Sequence, residues 1–228
     1  MSFPDKQTDK IQGMFSQIAG RYDLMNRLMT AGQDASWRRD VIRRAGLKPA
    51  SRLLDLGSGT GDLVREAQCQ QPGCRAVAAD FTLGMMQAGN LRGRLDWSVA
   101  DALRLPFPPA EFDAVVSGFL MRNVMDVRLA LQEQRRVLKD GGRIVILDTT
   151  HPRRNLLYPF LWLHLHLVIP LLGALITGQR AAYTYLPEST EKFLFAEQLA
   201  SLMTEVGFKN VGFRRRMLGT IAIHWGQK

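Results

Sequence analysis

The spacing of apolar positions divides the chain into alternating helical and extended stretches. Between Lys10 and Met29, the residues Met14, Phe15, Ile18, Tyr22, Met25 and Met29 recur at separations of one, three or four. That is the pattern of an amphipathic helix, with Gly20 as a break point. Trp37–Ala45 reads as a second helix. Five short apolar runs follow, at Arg52–Leu56, Ala76–Asp80, Leu95–Val99, Phe112–Ser117 and Arg143–Leu147, each predicted as a strand. Helices are predicted between them: one from Asp62, one capped by Thr82 and running towards Leu91, and the amphipathic Val127–Leu138. A turn at Lys139-Asp140-Gly141-Gly142 leads into the fifth strand. A last helix, Ala196–Val206, stops at Gly207, and Val211–Arg216 with Thr220–Trp225 pattern as an antiparallel pair. Strands alternating with helices predict an α/β fold, a doubly wound and mainly parallel sheet with a terminal antiparallel strand pair.

At 228 residues the chain suits one large domain. We divide it into N-terminal helices (1–46), a core (51–150), an apolar insertion (151–190) and a closing helix with strands (191–228). Residues 155–179 hold no charge. The run is long enough for a membrane span. Pro159 and Pro170 interrupt it, and His164 and His166 sit at its centre. A membrane-lying or substrate-gating element is therefore favoured over a buried core helix, and both over a true span. The polar N-terminus, Met1–Lys10, has no signal-peptide core.

Hydrophobic residues make up 46% and charged residues 22%, the balance of a globular chain rather than a disordered one. A net charge of +9 points to an anionic partner, a nucleic acid or an anionic membrane surface. Arg38–Arg39, Arg43–Arg44, Arg153–Arg154 and Arg214–Arg215–Arg216 carry much of it. Cys69 and Cys74 have no His or Cys cluster beside them, so no metal site is expected, and two reduced cysteines suit a cytoplasmic location.

The candidate chemistry begins at Asp55-Leu-Gly-Ser-Gly-Thr-Gly61, a glycine loop between a strand and a helix. Gly57, Gly59 and Gly61 let a ligand approach backbone amides closely. A dinucleotide fingerprint would place a third glycine where Asp62 stands. An acid at a helix start disfavours a pyrophosphate and suits a cationic cofactor, as S-adenosylmethionine is. Asp80, at the end of the second strand, is placed to take ribose hydroxyls. Asp101, followed by Ala102, comes after the third strand, where an adenine would lie.

These residues belong to a wider pattern. Tyr22-Asp23-Leu24-Met25-Asn26, Gly59-Thr60-Gly61-Asp62-Leu63, Leu105-Pro106-Phe107, Arg122-Asn123-Val124, Tyr185-Leu186, Glu188-Ser189 and Ile223-His224-Trp225-Gly226 resemble the ubiquinone and menaquinone biosynthesis C-methyltransferases over nearly the whole chain. The resemblance implies a Rossmann-like class I methyltransferase using S-adenosylmethionine, with cofactor contacts at Thr60, Asp80, Asp101 and Ala102. It implies a polyprenyl quinol substrate and a cytoplasmic enzyme peripheral to the membrane. There are departures. Gly118 stands where the family often has serine, Leu120-Met121 replaces Gly-Leu, Asp148 replaces a common glutamate, and the stretch after His151-Pro152 is more apolar.

Methylation of a ring carbon needs an ionised neighbouring phenol, whose free pKa is near 10. Arg122 is the candidate stabiliser of that phenolate, or else a structural salt bridge. His224 is a candidate general base, or else a core histidine. Tyr22 is a candidate contact to substrate or cofactor, or else helix packing. The competing functions are a small-molecule O- or N-methyltransferase on a phenolic or lipid substrate, a nucleic-acid methyltransferase, and a non-catalytic scaffold of a quinone-biosynthesis assembly. No RNA-binding module or base-flipping motif supports the nucleic-acid reading. The intact glycine loop argues against the scaffold. The oligomeric state, with a homodimer among the options, is open.

Overall fold

The structure is a computed structural model that describes residues 6–152 and 188–228, with Leu163, Leu167, Val168, Leu171 and Tyr185 between them. Its centre is a seven-stranded sheet. In chain order the strands are β1 (Arg52–Leu56), β2 (Arg75–Asp80), β3 (Asp96–Val99), β4 (Phe112–Gly118), β5 (Leu138–Thr149), β6 (Lys209–Arg216) and β7 (Ile221–Gln227). Their spatial order is β3-β2-β1-β4-β5-β7-β6. The strands β1 to β5 pair in parallel, and β7 pairs antiparallel with both β5 and β6. The predicted terminal pair is present, but β7 lies inside β6 rather than at the edge.

The central strands are continuous apolar runs because both faces of the sheet are covered. Along β5, Ile144 and Ile146 join the core beneath α6 (Val127–Val137) and α7 (Ala196–Glu205), with Leu131, Met203 and Phe208. Val145 and Leu147 point the other way, towards Trp37, Val41 and Ile42 of α3 (Asp34–Ala45) and Val64 of α4 (Asp62–Gln70). A period of two along one strand thus supplies two cores.

The first helix breaks where Gly20 predicts. Lys6–Ile18 (α1) gives way to a 3-10 turn at Ala19–Arg21, and α2 spans Tyr22–Met29. The predicted turn at 139–142 is absorbed into β5 as a register shift, from Phe112↔Leu138 to Ala114↔Arg143. Thr82 does precede α5 (Leu83–Asn90), but its side chain makes no capping bond. Its backbone N–H donates to Asp80 Oδ1 at 2.7 Å instead.

Among the described residues, no helix is long and apolar enough to cross a membrane. The uncharged run 155–179 lies outside them except for Leu163, Leu167, Val168 and Leu171, whose side chains are all exposed.

Candidate active site

Going from β1 to its neighbours β2 and β4, the chain order runs in opposite directions. Such a switch point opens a crevice beyond the carboxyl ends of the strands. Here it holds a cavity open to solvent on one side. Its walls come from the ends of β1 (Leu56, Gly57), β2 (Asp80), β4 (Gly118, Phe119) and the loop after β3 (Asp101, Ala102), with Phe15 and Tyr22 from the N-terminal helices closing over them. A second hollow continues beneath the glycine loop, past Asp55, Ser58, Thr60 and Leu63.

Gly57, Gly59 and Gly61 all adopt positive φ, which only glycine does without strain. A Cβ on Gly57 would also stand 2.8 Å from Leu120 Cδ1. The loop is tied down from β2: Gly59 N donates to Asp80 Oδ2 at 2.7 Å, and Gly57 N donates to the Ala79 carbonyl at 2.8 Å. Each Asp80 oxygen thus accepts a backbone N–H, with the Thr82 hydroxyl and the Phe81 backbone also close, and the carboxyl stands in the cavity wall. Burial raises the pKa of its carboxyl above the ordinary value. Asp101 is exposed at the cavity wall and its Oδ1 accepts the Leu103 N–H at 2.9 Å.

Asp55 is fully buried, and among the described residues neither of its oxygens makes a well-formed hydrogen bond, the Val64 backbone N–H contributing only weakly. Burial, with Asp80 and Asp62 nearby, holds its carboxyl well above the usual range. A carboxylate left this way is costly unless a donor or cation meets it. Asp62, from which a cationic cofactor was inferred, is occupied otherwise. It pairs with Arg38 at 2.8 Å and Arg92 at 2.7 Å. The preference for a cation rests on Asp55 instead. Thr60 donates its hydroxyl to Asp23 of α2 at 2.7 Å, so its side chain joins the loop to the N-terminal helices.

Tyr22 lines both hollows. Burial raises its phenol pKa, against the lowering field of Arg122 and a hydrogen bond with Asn26. Arg122 lines neither hollow; its side chain is buried, with the guanidinium over the ring of the wall residue Phe119, and its sequence neighbours Leu120 and Asn123 also line the cavity. Its Nη1 donates to Asp148 Oδ1 at 2.7 Å and its backbone N–H to Asp148 Oδ2 at 3.2 Å. Its Nε is buried without a partner among the described residues.

His224 is not brought to the site. It lines neither hollow and is 1% exposed in β7. Its Nε2 donates to the Ala196 carbonyl at 2.9 Å, and desolvation lowers its pKa to about 4. Asn123 is the wall residue that the motif reading passed over. Its Nδ2 donates to the Phe119 carbonyl at 3.0 Å, and its Oδ1 accepts from the Tyr185 hydroxyl at 3.1 Å. Its place beside Arg122 in a shared motif was the available signal. Among the described residues no cluster of His, Cys, Asp or Glu has metal-binding geometry, and both cysteines are free.

The arrangement fits a nucleoside that carries a cation. Asp80 and Asp101 offer acceptors along one wall, and the orphaned Asp55 lies below the loop. S-adenosylmethionine combines both features, and the chain is a class I S-adenosylmethionine-dependent methyltransferase. The family model of the ubiE/COQ5 methyltransferase family matches residues 4–228, and the chain belongs to that family.

It is 47% identical over 221 residues to the ubiquinone/menaquinone biosynthesis C-methyltransferase UbiE of Desulfotalea psychrophila, covering 96% of this chain and 90% of that one. It is 42% identical to the demethylmenaquinone methyltransferase of Thermus thermophilus, covering 94% of this chain and 100% of that one. The fold is shared more widely. The [4+2]-cyclase SpnF superposes with a TM-score of 0.70 at 16% identity, over 99% of this chain and 96% of that one. A Haemonchus contortus phosphoethanolamine N-methyltransferase 2 in complex with S-adenosyl-L-methionine gives 0.57 at 21% identity, over 79% of this chain and 38% of that one.

Proposed function

We propose that the protein methylates a ring carbon of a polyprenylated quinol precursor in menaquinone or ubiquinone biosynthesis. The observation that carries this reading is the buried Arg122 guanidinium, whose Nε has no partner among the described residues and whose neighbours Phe119 and Asn123 line the cavity. A donor held there, in a low-dielectric wall, is what a developing phenolate needs.

Bound S-adenosylmethionine supplies an electrophilic methyl group on its sulfonium. Asp80 orients the ribose and Asp55 faces the cationic end. Asp148 grips the Arg122 guanidinium from one side and leaves Nε free for the ring oxygen. The pair's field then lowers the cost of ionising that oxygen, and the ring carbon next to it gains nucleophilicity. Phe15 and Tyr22 cover the cavity and keep water from the methyl group. His224, enclosed between β7 and α7, takes no part in this scheme.

The substrate's tail favours attachment to a membrane surface. Leu163, Leu167 and Leu171 recur every four residues and are all exposed, which supports an apolar face presented to lipid. With a net charge of +9, the protein suits an anionic leaflet, bound peripherally from the cytoplasmic side. The test is anaerobic incubation of the protein with S-adenosylmethionine and a short-tailed demethylated prenyl naphthoquinol or benzoquinol. A product one methyl group heavier, with the methyl on carbon, supports the reading. A methyl ether or no product overturns it. Flotation with anionic liposomes, for wild type and for Leu163, Leu167 and Leu171 changed together to Ser, tests the membrane part.

A further inference from the structure

We propose that Tyr185, held by Asn123, makes the site read the redox state of its substrate, admitting the quinol and rejecting the quinone. The inference rests on the quinol-methylation reading above and assigns the discrimination to two residues.

The argument is one of hydrogen-bond polarity. The Asn123 amide cannot turn freely, because its Nδ2 donates to the Phe119 carbonyl at 3.0 Å. Turning it would set oxygen against oxygen. Its Oδ1 is therefore the atom presented to Tyr185, 3.1 Å away, and an amide oxygen only accepts. The single Tyr185 proton is thus committed to Asn123. What the phenol oxygen has left is acceptor capacity.

Asn123 lines the cavity, Tyr185 is half-buried and joined to the site through its bond to Asn123, and the Arg122 field reaches both Tyr185 and the cavity residue Tyr22. Burial raises the Tyr185 pKa above its usual value, so the phenol stays protonated and the assignment of donor and acceptor holds at neutral pH. A ligand oxygen that meets Tyr185 must bring its own proton. A hydroquinone hydroxyl does, and a quinone carbonyl does not, since it would place lone pair against lone pair. The same selection serves the chemistry, because only the reduced ring can ionise beside Arg122 and become a carbon nucleophile.

Asn123 acts here through Tyr185 and is a positioning residue. The two residues separate experimentally, because removing one deletes the acceptor and removing the other frees the donor. The probes are a short-tailed demethylated prenyl naphthoquinol, assayed anaerobically for methylation, and its own oxidised quinone, measured as a competitive inhibitor. Mixing the two forms of one couple changes neither concentration.

In wild type the quinone should bind more weakly than the quinol by roughly tenfold or more, the scale of one unmatched buried hydrogen-bonding group. Tyr185→Phe should raise KM for the quinol by about the same factor and leave quinone inhibition no weaker than in wild type, since the lone-pair clash is gone, so the preference disappears. Asn123→Ala frees the Tyr185 proton to face the ligand, and quinone inhibition should become tighter than in wild type. A general loosening of the site could not produce that gain. If wild type methylates the quinol but Tyr185→Phe keeps the full preference, or Asn123→Ala weakens quinone and quinol alike, the inference is wrong. If wild type methylates no quinol, the underlying reading fails and this inference falls with it.

Discussion

The hydroxyl of Thr60 donates to the carboxylate of Asp23 at 2.7 Å, a bond across 37 positions of sequence that closes α2 onto the glycine loop. The same carboxylate accepts from Arg92, which also reaches Asp62, while Asp62 in turn holds Arg38 of α3. One ionic network therefore fastens the N-terminal helices over the cofactor cavity.

Breaking that bond should loosen the cover. Thr60→Val is expected to weaken S-adenosylmethionine binding by roughly ten- to a hundredfold, the range of one hydrogen bond to a charged group. Asp23→Asn should do the same, and the double variant should be little worse than either single one. Isothermal calorimetry on the three proteins checks this. Full additivity would show that Thr60 acts on the cofactor directly rather than through Asp23.

Asp55 should report cofactor binding as a proton. Its buried carboxyl has a raised pKa in the free protein, and a cation beside it favours the ionised form. Binding must then release a proton at pH values between the carboxyl's lowered pKa in the complex and its raised pKa in the free protein, and affinity must rise with pH across that window. Calorimetry in buffers of different ionisation enthalpy measures the release directly. Asp55→Asn should abolish it and weaken binding. A proton count unchanged in that variant would place the titrating group elsewhere.

For Arg122, the expected loss of kcat in Arg122→Ala is on the order of a hundred- to a thousandfold, the scale of removing one donor from a developing anion. Arg122→Lys should retain part of the rate, and the deficit should shrink at alkaline pH, where the substrate ionises unaided. Truncating Arg122 also strands the buried charge of Asp148. Adding Asp148→Asn should therefore restore the melting temperature of Arg122→Ala without restoring turnover. Recovery of both would reduce Arg122 to a structural ion pair.

His224 should govern acid stability rather than catalysis. Its folded pKa is about 4 against an ordinary 6.5, so the unfolded chain binds the proton first as pH falls. Stability is fully present above about pH 6.5 and drains away towards pH 4, by up to about 3 kcal/mol for a shift of this size. His224→Gln should show a flatter melting temperature over that range while keeping most of its methylation rate. A large fall in rate with unchanged melting behaviour would reverse the assignment.

That the glycine loop, Asp80 and Asp101 would line one crevice was legible in the sequence, because the fold puts strand ends together there and each of these stands at or just beyond the end of its own strand. Gly20 could be read as a break because its effect is local. Asp62 could not be read correctly. Its neighbours Arg38 and Arg92 arrive from α3 and from beyond α5, and no local pattern announces which arginines a helix start will meet. Arg122 posed a choice between phenolate and salt bridge; the structure supplies the salt bridge, and its buried Nε has no partner among the described residues. His224 failed as a site residue for a related reason. A period of two places it on one face of β7, but only the packing of α7 decides whether that face is wet or closed.

The place of β7 between β5 and β6 has a consequence for how the molecule is made. Strand β6 leaves the ribosome before β7, yet its neighbour in the sheet is β7. It has no partner to pair with until the later strand has docked along β5, so synthesis order and assembly order are reversed at this edge. While it waits, its Lys209, Arg214, Arg215 and Arg216 keep an open strand from recruiting a second chain. Replacing those charges would be felt first in the yield of newly synthesised protein, before any change appeared in the finished enzyme.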